Sequence, residues 1–520
     1  MKKQILSVIC SGVLLGLSYP SFPEIPTGIL AWFTFVPILL ITRNTTNFKE
    51  YLLLTLSAFI ISNPIGFWWT ALYTWKAFAL CFITQIVGIY LPFLLHFFLQ
   101  KRFGWQGSLF LLPFHWTLFD ALTHHLPHNL QMNYIAYTQA NNIWLIQFTD
   151  FTGMWGITFW IVMMNVLITS PLAPRGGTST NWMRVLAPPL GVGGLLLFYS
   201  LWVMKISPKS VLGNDNLTTK VSIIQTNADS YSQDSTKTQK VFDEIISLSD
   251  SAVRTAKPDL IVLPEAAIPV PLFQDKNLLD FTKKAIASWQ TSVAIGFVEY
   301  PEKDPKIYKN NALIFTPQLA MFWNSLKIKP EDVRVYQKEY GLPFVEVMPY
   351  CGDCQTLRGD RMVKGHEPYI FSYNNSEGDI SKVALTICWE QMYPHKMAEL
   401  VNEGADFVAL MNNDAWFGTS SGAKQLLSFT RMRAIENRRS IVRCSNGGIS
   451  CFIDPFGRIT NQLPWFTSTI GTQEVLKVSK KSFYAKHPYF FIELVGVLFL
   501  VLFLKYELSV KHLKKEVLQS

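Results

Sequence analysis

Lys382-Val-Ala-Leu-Thr-Ile-Cys388-Trp-Glu390-Gln-Met-Tyr-Pro394 is a β-branched, apolar run that delivers a thiol straight into a polar turn. Val383, Leu385 and Ile387 alternate with smaller residues, which suits a strand buried on at least one face, and Pro394 marks a break ahead of the helical stretch 396–403. On its own, Cys388 reads as a small buried hydrophobe at least as readily as a nucleophile. The rest of the chain changes those odds.

Outward from this run, strands and helices interleave. Strands are expected at 220–227, 259–263, 292–298, 312–316, 407–411 and 441–445, besides 383–387 itself. Helices are expected at 236–256, 277–289 and 423–438. Such interleaving implies an α/β layered domain, and strand ends are where sites assemble in layered sheets. Glu265 follows the strand Asp259-Leu-Ile-Val-Leu263, and Lys338 lies in Val335-Tyr-Gln-Lys-Glu-Tyr-Gly-Leu-Pro-Phe-Val-Glu346. With Cys388 they supply what acyl chemistry on a thiol requires: a base for its proton and a cation for the charge that develops on an attacked carbonyl. Singly, Glu265 also reads as a helix-flanking carboxylate and Lys338 as a solvated surface charge.

The composition asks for two solvents. The 520 residues are 49% hydrophobic and 14% aromatic, with a positive mean hydropathy of +0.20, yet they carry enough charge for a large aqueous domain. Apolar runs occur at about 5–19, 27–42, 51–69, 77–99, 107–122, 143–168, 185–203 and 489–504, giving eight expected spans, several short for a hydrocarbon core and the second the weakest. Lys2-Lys3 ahead of the first run resembles a signal peptide, but Ser18-Tyr-Pro-Ser-Phe-Pro23 lacks a small-x-small cleavage site, so an uncleaved helix is expected. The organisation that follows is a membrane part at 1–204 with about seven spans, an aqueous domain at 205–488, and a last span with a cytoplasmic tail at 489–520.

With a cytoplasmic amino terminus, Arg43, Lys49, Lys101, Arg102, Arg175, Arg184 and the tail lysines 505, 511, 514 and 515 all fall inside, while the short outside loops hold only Lys76. That asymmetry matches the positive-inside rule and puts the aqueous domain outside, in the periplasm of a bacterium. The net charge of +9 is thus explained by topology; no compact basic stripe with interleaved aromatics points to nucleic acid. Asp120, His124, His125 and His128, at or beyond the end of the fifth span, read as a wet loop before a site. The seven cysteines form no zinc-type double pair, and neither a Walker-type nor a Rossmann glycine motif stands out, so no metal or cofactor is expected.

Pro258-Asp-Leu-Ile-Val-Leu-Pro-Glu265, Tyr336-Gln-Lys338 with Leu342-Pro-Phe344 and Glu346, Ile387-Cys388-Trp-Glu390, Asn413-Asp-Ala-Trp-Phe-Gly418, Arg433-Ala-Ile-Glu436, and Arg443 with Ser445-Asn-Gly-Gly448 occur in this order. In this the chain resembles the nitrilase, or carbon–nitrogen hydrolase, superfamily, and with eight spans around the domain it resembles the membrane-embedded branch that acylates lipoproteins. The resemblance covers nearly the whole length. It implies an αββα nitrilase-like sandwich on an eight-helix transmembrane bundle of a bacterial inner membrane, monomeric and without a cofactor. It implies a Glu265, Lys338, Cys388 triad: Glu265 as general base, Cys388 as nucleophile, Lys338 at the oxyanion. The acyl donor would be a glycerophospholipid, typically the sn-1 chain of phosphatidylethanolamine, and the acceptor the free α-amino group of a diacylglyceryl-cysteine at an apolipoprotein's amino terminus. Both substrates are membrane lipids held by chains worth about 0.8 kcal/mol per buried methylene, so a site at the membrane surface avoids extracting either. A thioester can pass its acyl group to an amine without ATP if water is excluded.

Within the resemblance, Glu346 either orients Lys338 or supports the acid–base work. Glu390 either orders the turn behind the thiol or is an ordinary turn carboxylate, and Trp389 either contacts lipid or packs. Trp416 and Phe417 are either a mobile lid near lipid or core aromatics. Two features depart from the family pattern: Cys351-Gly-Asp-Cys354, which in an oxidising compartment would be able to close a small disulfide, and Val345, where many members have glycine. One rival keeps the fold and makes the chain a membrane-tethered amidase or nitrilase with water as acceptor. A second makes it a transporter with a binding module, against which the spans hold few ionisable residues.

Overall fold

The computed structural model describes the chain except residues 1, 22–24, 73–74, 173–181, 206–211, 213–216, 229–234, 269–270, 302–303, 305 and 520. Arg175, used above for the charge asymmetry, lies outside the described residues. The chain divides into two compact units, one of Met1–Ile206 with His487–Ser520, the other Ser207–Lys486.

Among the described residues the second unit holds two sheets. In chain order its strands are Thr218–Gln225 (β1), Leu260–Val262 (β2), Ser292–Glu299 (β3), Ile307–Phe315 (β4), Tyr336–Gln337 (β5), Arg361–Met362 (β6), Ile370–Asn374 (β7), Ile380–Ile387 (β8), Phe407–Asn412 (β9), Ser440–Ser445 (β10), Cys451–Ile453 (β11), Ile459–Thr460 (β12) and Thr469–Leu476 (β13). One sheet runs β13-β1-β2-β3-β4-β5, with β6 also paired to β4; the other runs β12-β11-β10-β9-β8-β7. At the heart of each lie three parallel strands, β1-β2-β3 and β10-β9-β8.

Alternation along each strand builds the layers. Val221, Ile223, Leu260, Val262, Ala294 and Ile314 of the first sheet meet Val383, Leu385, Ile387, Phe407, Ala409 and Met411 of the second in one buried core. The residues between them face outward and are also buried. Ile261, Val293, Ile295 and Leu313 pack under helices Ser235–Ala256 and Lys276–Trp289 through Phe242, Ile245, Leu279 and Ile286. Ala384, Val408, Leu410 and Ile441 pack under helices Pro394–Asn402 and Ser421–Asn437 through Met397, Leu400, Leu427 and Ala434. Four layers, αββα, result. Central strands are covered on both faces, which is why they read as continuous apolar runs; each such Leu, Ile or Phe contributes about 1.5–3 kcal/mol by burial.

The first unit is helical: Lys2–Ser18, Phe48–Phe67, Trp75–His124, Met154–Leu172, Trp182–Lys205 and Phe490–Gln519 are its long helices. Gly104, with φ 73°, breaks Trp75–His124 in two. Helices Lys2–Ser18 and Phe48–Phe67 touch through Gly12 and Gly16, where a Cβ would come within 2.7 Å of the carbonyl oxygens of Ala58 and Ser62. Among the described residues one helix, Phe48–Leu72, is long and apolar enough to cross a membrane; Thr27–Thr42, Met154–Ser170 and Leu190–Lys205 are shorter apolar helices.

Two of the eight expected runs take a different form. The second is a 3-10 turn, Thr27–Trp32, followed by a short helix, Val36–Thr42. The buried Asn165 side chain stabilises this break, accepting from Phe35 N at 2.8 Å and donating to Ala31 O at 2.9 Å, so backbone groups freed at the interruption are satisfied by a neighbour. In the sixth, residues 143–153 form turns and a four-residue helix, and the long helix starts only at Met154.

Candidate active site

Cys388 is the first residue past β8, at the head of the 3-10 turn Cys388–Met392. Its φ of 52° lies in the left-handed region, a conformation that costs an L-residue about 1–3 kcal/mol and persists only where the surroundings hold it. Three contacts do so. Glu390 Oε2 accepts from Ile387 N at 2.7 Å, Gln391 Nε2 donates to Cys388 O at 3.0 Å, and the Thr430 hydroxyl donates to Gln391 Oε1. Cys388 is partly exposed and packs on the edge of the core between the sheets.

Lys338 follows β5, whose pairing with β4 sets its position: Gln337 lies opposite Asn311, and Lys338 N donates to Asn310 O at 2.8 Å. The ammonium is fully buried between two carboxylates. Nζ donates to Glu265 Oε1 at 3.0 Å, to Glu346 Oε1 at 2.8 Å and to Glu346 Oε2 at 2.9 Å. Glu346 is itself fixed, since its Oε2 also accepts from Leu342 N at 2.7 Å. Glu265 takes a second bond on Oε1, from Asn310 Nδ2 at 2.7 Å. Its backbone lies against β3 where that strand carries Gly296; a Cβ there would sit 2.6 Å from Pro264 O and 3.3 Å from Glu265 Cα.

The electrostatics follow from one cation among several acids in a dry place. Burial raises the Glu265 carboxyl above the usual carboxylate range; Lys338 opposes the rise and Glu346 adds to it. Burial also pushes the Cys388 thiol well above its ordinary value, with Glu265 adding, Lys338 opposing, and Glu346 and Asp414 adding further. Burial thus disfavours the thiolate, and the Glu265 carboxylate, within electrostatic reach of the sulfur, is made more basic by the same burial. That pair suits proton transfer concerted with attack and does not suit a standing thiolate.

Glu390 is a buried tie. Its Oε1 accepts from Tyr336 OH at 2.6 Å, Glu339 N at 2.7 Å and Tyr340 N at 3.3 Å, while Oε2 holds the cysteine turn as above. Trp389 is 2% exposed and packs inside the unit, whereas Trp416 is 40% exposed with the Arg358 guanidinium 5.5 Å over its ring. Phe417 is partly buried. Cys351 and Cys354 are joined in a disulfide, in a loop where Arg361 Nη1 holds Asp353 Oδ1 at 3.0 Å.

Asn310, Tyr336, Gln391 and Thr430 were not foreseen from the sequence. The one available signal was Asn310-Asn311 next to the apolar half of a strand that also carries Lys309, a polar pair that must find partners when buried.

Residues 220–478 match the family model for carbon–nitrogen hydrolases, and residues 11–167 match that for the apolipoprotein N-acyltransferase N-terminal domain. The chain is 27% identical over 510 residues to an apolipoprotein N-acyltransferase of Chlorobaculum tepidum, covering 94% of this chain and 93% of that one. It is 26% identical over 503 residues to an apolipoprotein N-acyltransferase of Geobacter metallireducens, covering 94% and 92%. Among solved structures, an amidase from Nesterenkonia sp. is 15% identical with a TM-score of 0.36, covering 53% of this chain and 94% of that one.

Proposed function

The chain belongs to the apolipoprotein N-acyltransferases of the carbon–nitrogen hydrolase superfamily, and from that membership we propose that Cys388, Glu265 and Lys338 carry its acyl transfer. The reaction moves a fatty acyl chain from a glycerophospholipid to the amino-terminal nitrogen of an apolipoprotein, the last step of lipoprotein maturation. The observation that carries the residue assignment is the buried Lys338 ammonium, bonded to Glu265 and Glu346 in a site where Glu265 also acts on the Cys388 thiol.

In the first half-reaction Glu265 takes the thiol proton as sulfur bonds to the ester carbonyl carbon. The oxygen gains charge beside Lys338, which already has its full set of donors engaged and exchanges one redundant Glu346 contact for the oxyanion. As the C–O bond breaks, the proton on Glu265 passes to the departing glycerol oxygen and lysophospholipid leaves. In the second half the acceptor nitrogen attacks the thioester carbon and the C–S bond breaks. Glu346 fixes Lys338, and Glu390 positions the cysteine turn against the lysine segment.

The eight-span arrangement, an inner-membrane location and a periplasmic catalytic unit belong to the same proposal. Their support is the charge asymmetry of the loops and the one described helix with the length to cross, Phe48–Leu72. A water-using amidase shares the triad, but the acyltransferase relatives align over almost the full length, including the helical unit, and so favour an amine acceptor. The test is intact-mass spectrometry after incubation with phospholipid. Wild type gains one acyl chain on Cys388, Cys388→Ser gains no thioester, and an unmodified wild-type cysteine under single-turnover conditions sinks the reading.

A further inference from the structure

The turn that follows β9 holds two buried acceptor oxygens with no partner among the described residues, Asn413 Oδ1 and Asp414 Oδ1. Asn413 is 4% exposed and Asp414 0%. The other carboxylate oxygen of Asp414 is taken: Oδ2 accepts from Arg443 Nη2 at 2.6 Å. An acceptor buried and left open costs about 1–3 kcal/mol, and a native chain that keeps two in consecutive residues calls for an explanation.

Their location suggests one. β8 and β9 are neighbouring parallel strands with Ile387 opposite Met411, so Cys388 and the Asn413-Asp414 pair leave adjacent strands at the same end of the sheet. Gln391 Nε2 donates to Cys388 O at 3.0 Å, and its side chain lies next to that of Asn412, the last residue of β9. Asp414 is held in place around its open oxygen. Arg443 fixes Oδ2, Ser445 Oγ accepts from Asp414 N at 3.3 Å, and a Cβ on Gly448 would come within 2.5 Å of the Asp414 Cβ. After burial and Glu265, and with Lys338 opposing, Glu346 and Asp414 also act on the Cys388 thiol, which puts the Asp414 carboxylate within electrostatic reach of the sulfur.

Two acceptors without a donor suit a cationic donor with several N–H groups. Arg443 offsets the charge of Asp414, so Oδ1 offers a directed acceptor more than a free negative charge. A primary ammonium occurs on both substrates, at the headgroup of phosphatidylethanolamine and at the amino terminus of the acceptor. Only the second has to bring its nitrogen to the carbon bonded to Cys388.

We propose that Asn413 and Asp414 receive the α-ammonium of the acceptor lipopeptide and orient its nitrogen toward the Cys388 thioester, a role that rests on the acyl-transfer reading above. The nitrogen gives up two protons in all: one reaches the departing sulfur by way of Glu265 and the other goes to solvent, as C–N forms and C–S breaks. Asp414→Asn keeps an oxygen for Arg443 and turns the open acceptor into a donor that repels an ammonium.

The test separates the half-reactions in the full-length protein. Thioester formation on Cys388 is followed by intact mass in a single turnover with phosphatidylethanolamine or with phosphatidylglycerol, and transfer is followed with a synthetic diacylated lipopeptide bearing a free amino terminus. Asp414→Asn is expected to form the thioester within about twofold of wild type from both lipids, while kcat/KM for the lipopeptide falls about tenfold or more through a higher KM, the scale of one lost charge-assisted bond. Asn413→Ser should show a smaller loss of the same kind. Unchanged transfer in Asp414→Asn overturns the proposal, as does slowed thioester formation from both lipids. Slowing confined to phosphatidylethanolamine moves the site to the donor headgroup and overturns the acceptor assignment. If Asp414→Asn does not fold, wild type decides: a lipopeptide with hydroxyl in place of the amino group should compete about tenfold less well than the amine, and equal competition overturns the proposal. A wild-type enzyme that never forms the thioester fails the acyl-transfer reading itself and this proposal with it.

Discussion

Glu390 accepts a 2.6 Å hydrogen bond from the Tyr336 hydroxyl, and the two residues, 54 positions apart, clamp the cysteine turn of one sheet to the lysine segment of the other. The carboxylate receives four donors in all, three of them backbone N–H groups, and burial still raises it above the ordinary carboxylate range. Its function in the fold is alignment. The Lys338 ammonium itself is bonded to Glu265 and Glu346.

Replacing Glu390 therefore disturbs both motifs together. Glu390→Ala leaves four donors unmatched, two buried and two part-buried, and should lower stability by about 3 kcal/mol or more, with acylation of Cys388 lost alongside. Tyr336→Phe removes one donor and leaves the carboxylate its three backbone bonds, so about 1 kcal/mol and a modest rate loss are expected. Chemical denaturation and single-turnover acylation measure the two effects. If Glu390→Ala kept wild-type acylation, the clamp would have no part in aligning the site.

The thiol and its base set a pH profile. Burial holds the Cys388 thiol well above its usual range, which disfavours the thiolate at neutral pH, and under the proposed mechanism reactivity there depends on the deprotonated form of Glu265. Alkylation of Cys388 by a neutral reagent should rise as pH climbs through the raised Glu265 pKa. Glu265→Gln should be slower by about a hundredfold at pH 7, with recovery only toward strongly alkaline pH, where the thiol ionises unaided. A Glu265→Gln profile that overlays wild type would remove Glu265 as the base.

Stability carries the same shift with a definite sign. A carboxyl whose folded pKa lies above its unfolded one stabilises the fold fully below the unfolded pKa, and that contribution is lost as pH rises through the folded pKa. Glu265 is such a group, so keeping it ionised for chemistry opposes folding, and Lys338 offsets this. Lys338→Met leaves Glu265 and Glu346 facing each other without their cation. It should cost about 3–5 kcal/mol at pH 7–8, with the gap to wild type narrowing as pH falls toward the carboxylate range. A gap that stays constant with pH would mean that Lys338 does not compensate these acids.

How much of this was legible in the sequence depended on burial. β2, β3, β8, β9 and β10 are covered on both faces, so their apolar runs showed where strands lie. β13, Thr469–Leu476, escaped because it lies at a sheet edge with a mixture of buried and exposed side chains, and β5, β6 and β12 are two-residue pairings without periodicity. The helical run 27–42 looked continuous because Asn165, which satisfies the break at Phe35, is 130 residues away. Glu265, Lys338 and Cys388 stood out as polar residues at or near strand ends. What linear order does not show is that β2 and β5 of one sheet and β8 of the other bring them to a common place, or that Asn310 and Gln391 hold two of them there.

Gly296 is where β3 makes room for the Glu265 segment. With a Cβ at 2.6 Å from Pro264 O and 3.0 Å from Ala266 N, Gly296→Ala must push the Glu265 segment off β3. Overpacking of this kind costs about 1–3 kcal/mol, and the displacement falls on Glu265, the proposed base. Acylation should therefore drop by more than the fraction unfolded explains, with Cys388 still open to alkylation at high pH. A rate loss matched by loss of folded protein would make Gly296 a packing residue only.

Cys388 itself separates stability from chemistry. Its φ of 52° suits glycine, which adopts the left-handed region without the Cβ penalty, so Cys388→Gly relieves strain while deleting the proposed nucleophile. Cys388 as a whole residue is only partly buried, so its lost packing is small beside a relief of about 1 kcal/mol. Cys388→Gly should melt at or above the wild-type temperature and form no thioester, whereas Cys388→Ser retains the strain and should melt at or below it. If glycine were clearly less stable than serine at this position, the strained turn would not be a cost that the fold carries for the sake of presenting the thiol.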